Sequence, residues 1–197
     1  MKGIVLAGGE NRRMGADKAF LNFAGKPIIE HILSALGKVC SGVIIVTNSP
    51  ERYASFDATV VIDAMNVRCP LTGIYSGLFR SDEDYNFVTA CDMPYLNAGL
   101  VAYMGEQARG FEVTLPRVGD FFEPLHAVYH RGLLPRIESR LGRDQRDIRG
   151  LFENAGIRYI TEEEIGRFDP EKRSFRNLNT RKEYEEALCS DWECRNS

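Results

Sequence analysis

The sequence contains no long hydrophobic run. None of its apolar stretches approaches the roughly 18 residues that a membrane-spanning helix requires, so no membrane partner is expected. Neither sign of charge is in excess. The 25 Lys and Arg against 28 Asp and Glu leave −3 over 197 residues, which argues against the basic surface of a dedicated nucleic-acid binder. Proline and glycine are ordinary, and the 44% apolar fraction is too high for a disordered chain. The five cysteines are odd in number and scattered, which fits reduced thiols better than a disulfide framework. Cys189 and Cys194 have no flanking His or Cys to complete a zinc site. The first apolar run, Gly3 to Ala7, is too short for the core of a secretory signal. These absences predict a cytoplasmic protein with one domain and one sizeable core.

What is present is a regular alternation. Short runs rich in Val, Ile or Phe occur at 3–7, 42–47, 59–62, 85–90, 112–116 and 125–129, bounded by Gly, Pro, Asn or Asp. They read as buried strands. Between them, 27–39 places Ile28, Ile29, Ile32, Leu33, Leu36 and Val39 on one helical face, with Pro27 at its start. Residues 71–79 and 99–107 read as shorter helices. This order predicts βαβ units and a mostly parallel sheet covered on both faces: a single Rossmann-like, three-layer α/β domain over 1–188. Past residue 130, helices are expected at 133–141 and 148–154, with an edge strand at 156–160. Thr180 and Glu183 form a capping box that opens a last helix at 181–188. The tail 189–197 is expected to fray.

The strongest chemical signal is Leu6-Ala-Gly-Gly-Glu-Asn-Arg-Arg-Met-Gly-Ala-Asp-Lys18. It follows the first strand, at the carboxyl edge where α/β sheets bind ligands. The backbone N–H groups of Gly8 and Gly9 can approach a phosphate or base edge closely, and Arg12, Arg13 and Lys18 supply charge for a polyphosphate. The loop lacks the Gly-Lys-Ser/Thr of a Walker A motif and the spacing of Gly-x-Gly-x-x-Gly. A kinase or GTPase, and a dinucleotide-binding protein, are thereby disfavoured. At the ends of later strands, Asp92 can offer oxygen to a hard divalent cation and Asp63 can accept the N–H edge of guanine. Asn177 and Asn179 alternate on one face of an extended segment, where their amides can bind pterin, phosphate or metal-bound water. His126, inside a strand, reads as structural.

The loop, with Lys18-Ala-Phe-Leu, Gly25-Lys-Pro27, Pro70-Leu-Thr-Gly73, Cys91-Asp-Met-Pro94 and Asn177-Leu-Asn-Thr180, resembles the motif series of molybdenum cofactor guanylyltransferases. These form the MobA family, nucleotidyltransferases of the glycosyltransferase-A type. The resemblance runs from residue 4 to about 187. It implies a fold whose half up to Pro94 binds the nucleotide and whose later half binds the acceptor. It also implies transfer of GMP from GTP to the terminal phosphate of molybdopterin or its molybdenum form, with pyrophosphate released. Arg13, Lys18 and Asp92 would be the catalytic residues, and Asp92 would hold Mg²⁺. The GTP ligands would be Leu6, Ala7, Gly8, Gly9, Lys18, Asp63, at guanine or ribose, and Gly73. Asn177 and Asn179 would lie toward molybdopterin. Transient contact with molybdopterin-synthesis or molybdoenzyme chaperone proteins is implied as well. The chain departs from the family at Val46, where an Asn is frequent; Asn48 is the nearest Asn. The alternatives are a related cytidylyltransferase or a sugar- or alditol-phosphate nucleotidyltransferase. Cytidylyltransferases usually carry Ala where this chain has Gly8, and Gly leaves room for the larger purine.

Overall fold

The computed structural model describes residues 1–8, 18–63 and 69–195, with side chains as far as residue 188. In chain order the elements are β1 (Lys2–Leu6), β2 (Asn22–Phe23), β3 (Lys26–Pro27), α1 (Ile28–Leu36), β4 (Val43–Thr47), β5 (Thr59–Ile62), α2 (Pro70–Arg80), β6 (Tyr85–Ala90) and α3 (Ala98–Gln107). Then follow β7 (Val113–Val118), β8 (Phe121–Phe122), β9 (His126–His130), α4 (Leu134–Gly142), β10 (Ile157–Ile160), α5 (Glu162–Gly166) and α6 (Arg181–Arg195). The main sheet runs β10-β7-β9-β6-β1-β4-β5, with β8 attached to β7.

Side-chain alternation along the central strands builds two cores, one on each face of the sheet. In β4, Val43 and Ile45 join one cluster and Ile44 and Val46 the other; in β6, Phe87 and Val88 divide in the same way. Ile28, Ile29 and Ile32 of α1 and Leu100 and Met104 of α3 cover the first face. Leu71, Ile74 and Leu78 of α2 and Ile137 of α4 cover the second. The result is the expected three layers.

Two glycines let α2 lie close to β1. A Cβ on Gly77 would stand 2.5 Å from Ile4 Cγ2, and one on Gly73 would stand 3.1 Å from a Leu6 methyl. Gly77→Ala should destabilise the protein by about 1–2 kcal/mol in urea unfolding. The overpacking cost of roughly 1–3 kcal/mol exceeds the gain in helix propensity of at most about 1 kcal/mol. An unchanged midpoint would mean that Ile4 moves aside without loss.

Several elements differ from expectation. The structure places a 3-10 turn, Arg149–Phe152, where a helix is predicted at 148–154. Asp147 accepts from the Gly150 amide at 2.7 Å and holds Arg140 at 2.9 Å, and that local turn replaces a regular helix. The sheet is mostly parallel, but β9 runs antiparallel to both β6 and β7. The last helix does not stop at Leu188: its backbone is helical to Arg195, because neither Gly nor Pro interrupts 181–195. The capping box at its start is present. Glu183 N donates to Thr180 Oγ1 at 3.2 Å, and Thr180 N donates to Glu183 Oε2 at 2.8 Å.

Candidate active site

In the sheet, β1 adjoins β4 on one side and β6 on the other, so the strand order reverses direction across the sheet between β1 and β6. The crevice at the carboxyl ends of such a strand pair is where α/β sheets bind ligands. Lys18 and Asp92 meet there. Lys18 opens a short 3-10 turn, Lys18–Phe20, anchored by fully buried Ala19 and by the Phe20 ring 5.1 Å from that of Tyr53. Asp92 follows β6. Lys18 Nζ lies 3.6 Å from Asp92 Oδ2 and donates to Asn179 Oδ1 at 2.8 Å. Three residues singled out in the sequence are therefore brought together, two of them 161 positions apart.

The backbone explains how the distant segment arrives. Leu178 is 2% exposed, and its amide donates to the Asp92 carbonyl at 3.0 Å. Burying Leu178 turns the alternate side chains, Asn177 and Asn179, the other way. Downstream, the Tyr184 hydroxyl donates to the Asn22 carbonyl of the β2–β3 hairpin. That hairpin turns through Gly25 at φ +90°, a conformation glycine adopts without strain, which accounts for the Gly25-Lys-Pro27 motif.

Asp92 is mostly buried, its side chain 18% exposed. Burial raises its carboxyl above the ordinary range, opposed by the charge of Lys18. Its Oδ1 is buried without a hydrogen-bond partner among the described residues, and so is Asn177 Oδ1. Orphaned buried oxygens of this kind are costly, and hard oxygen donors are what a small divalent cation takes. The residues present thus fit such a cation. Among the described residues no group of three or more His, Cys, Asp and Glu converges, so its remaining ligands would be phosphate and water.

On the β1–β4–β5 side, Leu6 and Ala7 reach the edge with the Leu6 carbonyl and the Ala7 amide already bonded to Cys91 and Val46. They frame the crevice with those groups committed. Gly8 is exposed, and a Cβ on it would stand 3.5 Å from Asn48 Nδ2. This brings Asn48 beside Gly8 despite the change at Val46. Asp63 is half-buried after β5. Its two carboxylate oxygens accept from Thr72 Oγ1 and Ser76 Oγ, each at 2.9 Å. Each oxygen can accept a second bond, so the hydroxyls orient the carboxylate without exhausting it. Sequence reasoning missed Thr72 and Ser76; their one-turn spacing on α2 was the available signal. Gly73 lies buried against Leu6, so packing accounts for its missing side chain and only its backbone is left for a ligand. Gly9, Arg12 and Arg13 lie outside the described residues.

On the other side, His126 is fully buried, its ring edge-on to Phe87 and Phe175 with centroids 4.9 Å away in each case. Burial drives its pKa down to about 3, so it is a neutral core residue, as its strand position predicts. Glu123, which sequence reasoning passed over, stands just before β9. Burial raises its carboxyl, and the charge of Asp92 raises it further, which places the two acids in one field.

A mostly parallel sheet with a lysine and an acid paired at its reversal point fits a nucleotidyltransferase. The chain belongs to the MobA-like NTP transferase family, whose model matches residues 3–159. It is 35% identical over 184 residues to the molybdenum cofactor guanylyltransferase of Syntrophotalea carbinolica, covering 92% of this chain and 88% of that protein. It is likewise 35% identical to the protein of the same name from Desulfosudis oleivorans, covering 94% and 93%. The solved structure of molybdopterin-guanine dinucleotide biosynthesis protein A from Archaeoglobus fulgidus superposes with a TM-score of 0.85 at 26% identity, over 100% of both chains. A nucleotidyl transferase from Methanothermobacter thermautotroptrophicus, at 18% identity and TM-score 0.76, shares the fold.

Proposed function

We propose that this chain transfers GMP from GTP to the terminal phosphate of molybdopterin or its molybdenum form and releases pyrophosphate. The observation that carries this reading is the meeting of Lys18, Asp92 and Asn179 at the reversal point of the sheet. The names of its relatives support the choice of substrates. An oxygen of the acceptor phosphate attacks the α-phosphorus of GTP, and the bond to the β-phosphate oxygen breaks. The attacking oxygen is already anionic, so no general base is required, in keeping with a neutral, buried His126.

Catalysis rests on positioning and charge. Lys18, steadied by Asn179, would neutralise the departing phosphates, and Arg13 is assigned the same task. Asp92, with the amide oxygen of Asn177, would hold Mg²⁺, which when bound supplies positive charge at the reacting phosphates. Asp63, Gly8 and Asn48 form the side on which the nucleoside binds. The reaction is assigned to the cytoplasm, with handover of the product to molybdenum-enzyme chaperones. The test is pyrophosphate release in the presence of molybdopterin and Mg²⁺. GTP should support turnover and CTP should not. Equal turnover with CTP would replace guanylyl by cytidylyl transfer, and a requirement for a sugar phosphate as acceptor would remove molybdopterin.

A further inference from the structure

One pocket at the same sheet edge has no part in the chemistry above. Strands β7 and β8 form a hairpin closed by the pair Val118 and Phe121, and the chain then turns through Glu123 into β9. A cavity of about 150 Å³ opens beside this hairpin, lined by Val118, Phe121, Phe122, Phe175, Glu123 and Lys172. A cavity of about this volume lined by apolar side chains accepts an aromatic ring. Phe121 at the rim is 78% exposed, an aromatic surface with no core to serve. The floor is fixed. Phe175 packs on His126, and Phe122 packs on Tyr159 with ring centroids 5.6 Å apart. The Tyr129 hydroxyl donates to the Pro124 carbonyl at 2.9 Å, holding the turn that carries Glu123. The Lys172 ammonium is engaged by Glu162, so its contribution to the lining is the alkyl stem.

The pocket is also in the right place. β9 pairs antiparallel with β6 from Tyr85↔His130 to Thr89↔His126. Beyond that pair both strands give way to irregular chain at the same edge of the sheet, through Asp92 after β6 and through Glu123 before β9. Because β7 runs parallel to β6, its carboxyl end and the β8 hairpin lie at the edge that carries Lys18 and Asp92. The nucleoside side, with Asp63 and Gly8, lies across β1 from it. An acceptor whose phosphate reaches Lys18 and Asp92 from the opposite side would lay its distal end over this hairpin.

We propose that this pocket receives the planar 2-amino-4-oxo heterocycle at the distal end of the acceptor, stacked on Phe121 and Phe122 with its two N–H donors on the Glu123 carboxylate. The proposal rests on the guanylyl-transfer reading above. A carboxylate accepts an amino hydrogen and the neighbouring ring N–H side by side. Ring stacking on Phe supplies the affinity, and the acid supplies the orientation. Guanine presents the same edge as a pterin, so the test must separate the two sources.

The experiment is a fluorescence titration of wild-type protein with unsubstituted pterin, repeated with saturating GTP and with the variants Phe121→Ala and Glu123→Gln. Pterin should bind wild type and remain bound in the presence of GTP. Each variant should weaken binding by about tenfold or more, within the range measured for ring stacking on aromatic side chains. In turnover, KM for molybdopterin should rise by a similar factor while KM for GTP holds within about twofold. Phe121 is mostly exposed, so its variant should melt with wild type and report the pocket alone. Absence of pterin binding, displacement of pterin by GTP, or indifference to both substitutions would each overturn the proposal. Failure of the underlying reading looks different: wild-type protein would bind pterin yet release no pyrophosphate from GTP with the acceptor present.

Discussion

Asp92→Asn should slow Mg²⁺-dependent pyrophosphate release by a factor of about 10² to 10³, the usual loss when one preorganised electrostatic contact is removed, and should at the same time leave the protein as stable as wild type or more so. The second half of this result follows from the raised carboxyl of Asp92, whose Oδ1 is buried with no partner among the described residues. A folded-state pKa above the ordinary value means that the folded chain holds the proton more tightly than the unfolded one. The stability contributed by this group is full below its ordinary pKa and is lost as pH rises through the raised one. At neutral pH the ionised form therefore opposes folding, and an isosteric amide relieves that opposition. Lys18 keeps Asn179 as a partner in the variant. Thermal melting without nucleotide, set beside the turnover assay, tests both halves. Turnover near wild type would remove Asp92 from the mechanism, and a clear fall in melting temperature would mean that the carboxylate holds the fold together.

Below neutral pH the largest stability change should come from His126. Its folded pKa of about 3 lies far below the ordinary 6.5, so the unfolded chain takes up a proton that the folded chain refuses. Stability from this group is full above the ordinary value and is lost as pH falls toward the folded one, at about 1.4 kcal/mol per pH unit once the unfolded His is charged. Between pH 7 and pH 5 the loss is about 2 kcal/mol. The chain also contains 28 Asp and Glu that titrate on the acid side, so the measurement is a difference. His126→Phe, which keeps a ring between Phe87 and Phe175, should lose about 2 kcal/mol less than wild type over that interval in urea unfolding. Parallel pH profiles for the two proteins would count against a neutral, buried imidazole.

How far the sequence foretold this arrangement depends on the kind of information each part requires. The buried strands were legible because their Val and Ile runs stand between turn residues, and β4 and β5 lie as expected. The direction of β9 was not legible. Hydrophobic periodicity is the same read forward or backward, so it gave no sign that one strand opposes the rest. That reversal carries Glu123 to the edge near Asp92, and so Glu123 escaped notice. Short elements were lost for lack of length: β8 has two residues and no pattern to detect. α5 was detectable, since Thr161 and Glu164 form the capping box that the sequence spells. At the site, Lys18, Asp92, Asn177 and Asn179 were each legible from their position after a strand or in a short alternating segment, but the contact of Lys18 with Asn179 is a tertiary fact. The two hydroxyls on Asp63 were hidden for the same reason, since nothing local links α2 to the end of β5.

The distance in sequence between Lys18 and Asn179 also has a consequence in time. The residues that the family model matches end at 159, whereas the amide oxygen that accepts from Lys18 belongs to Asn179. A ribosome adding about 5–20 residues per second needs roughly 8–30 s to travel from Lys18 to Asn179. During that interval every strand of the main sheet has been made, yet Lys18 lacks its amide partner and Asp92 lacks the segment that bonds its carbonyl. A chain broken off before residue 177 would carry the sheet without the completed crevice. Synthesis itself therefore acts as a timer, joining the ability to turn over nucleotide to the arrival of the last helix.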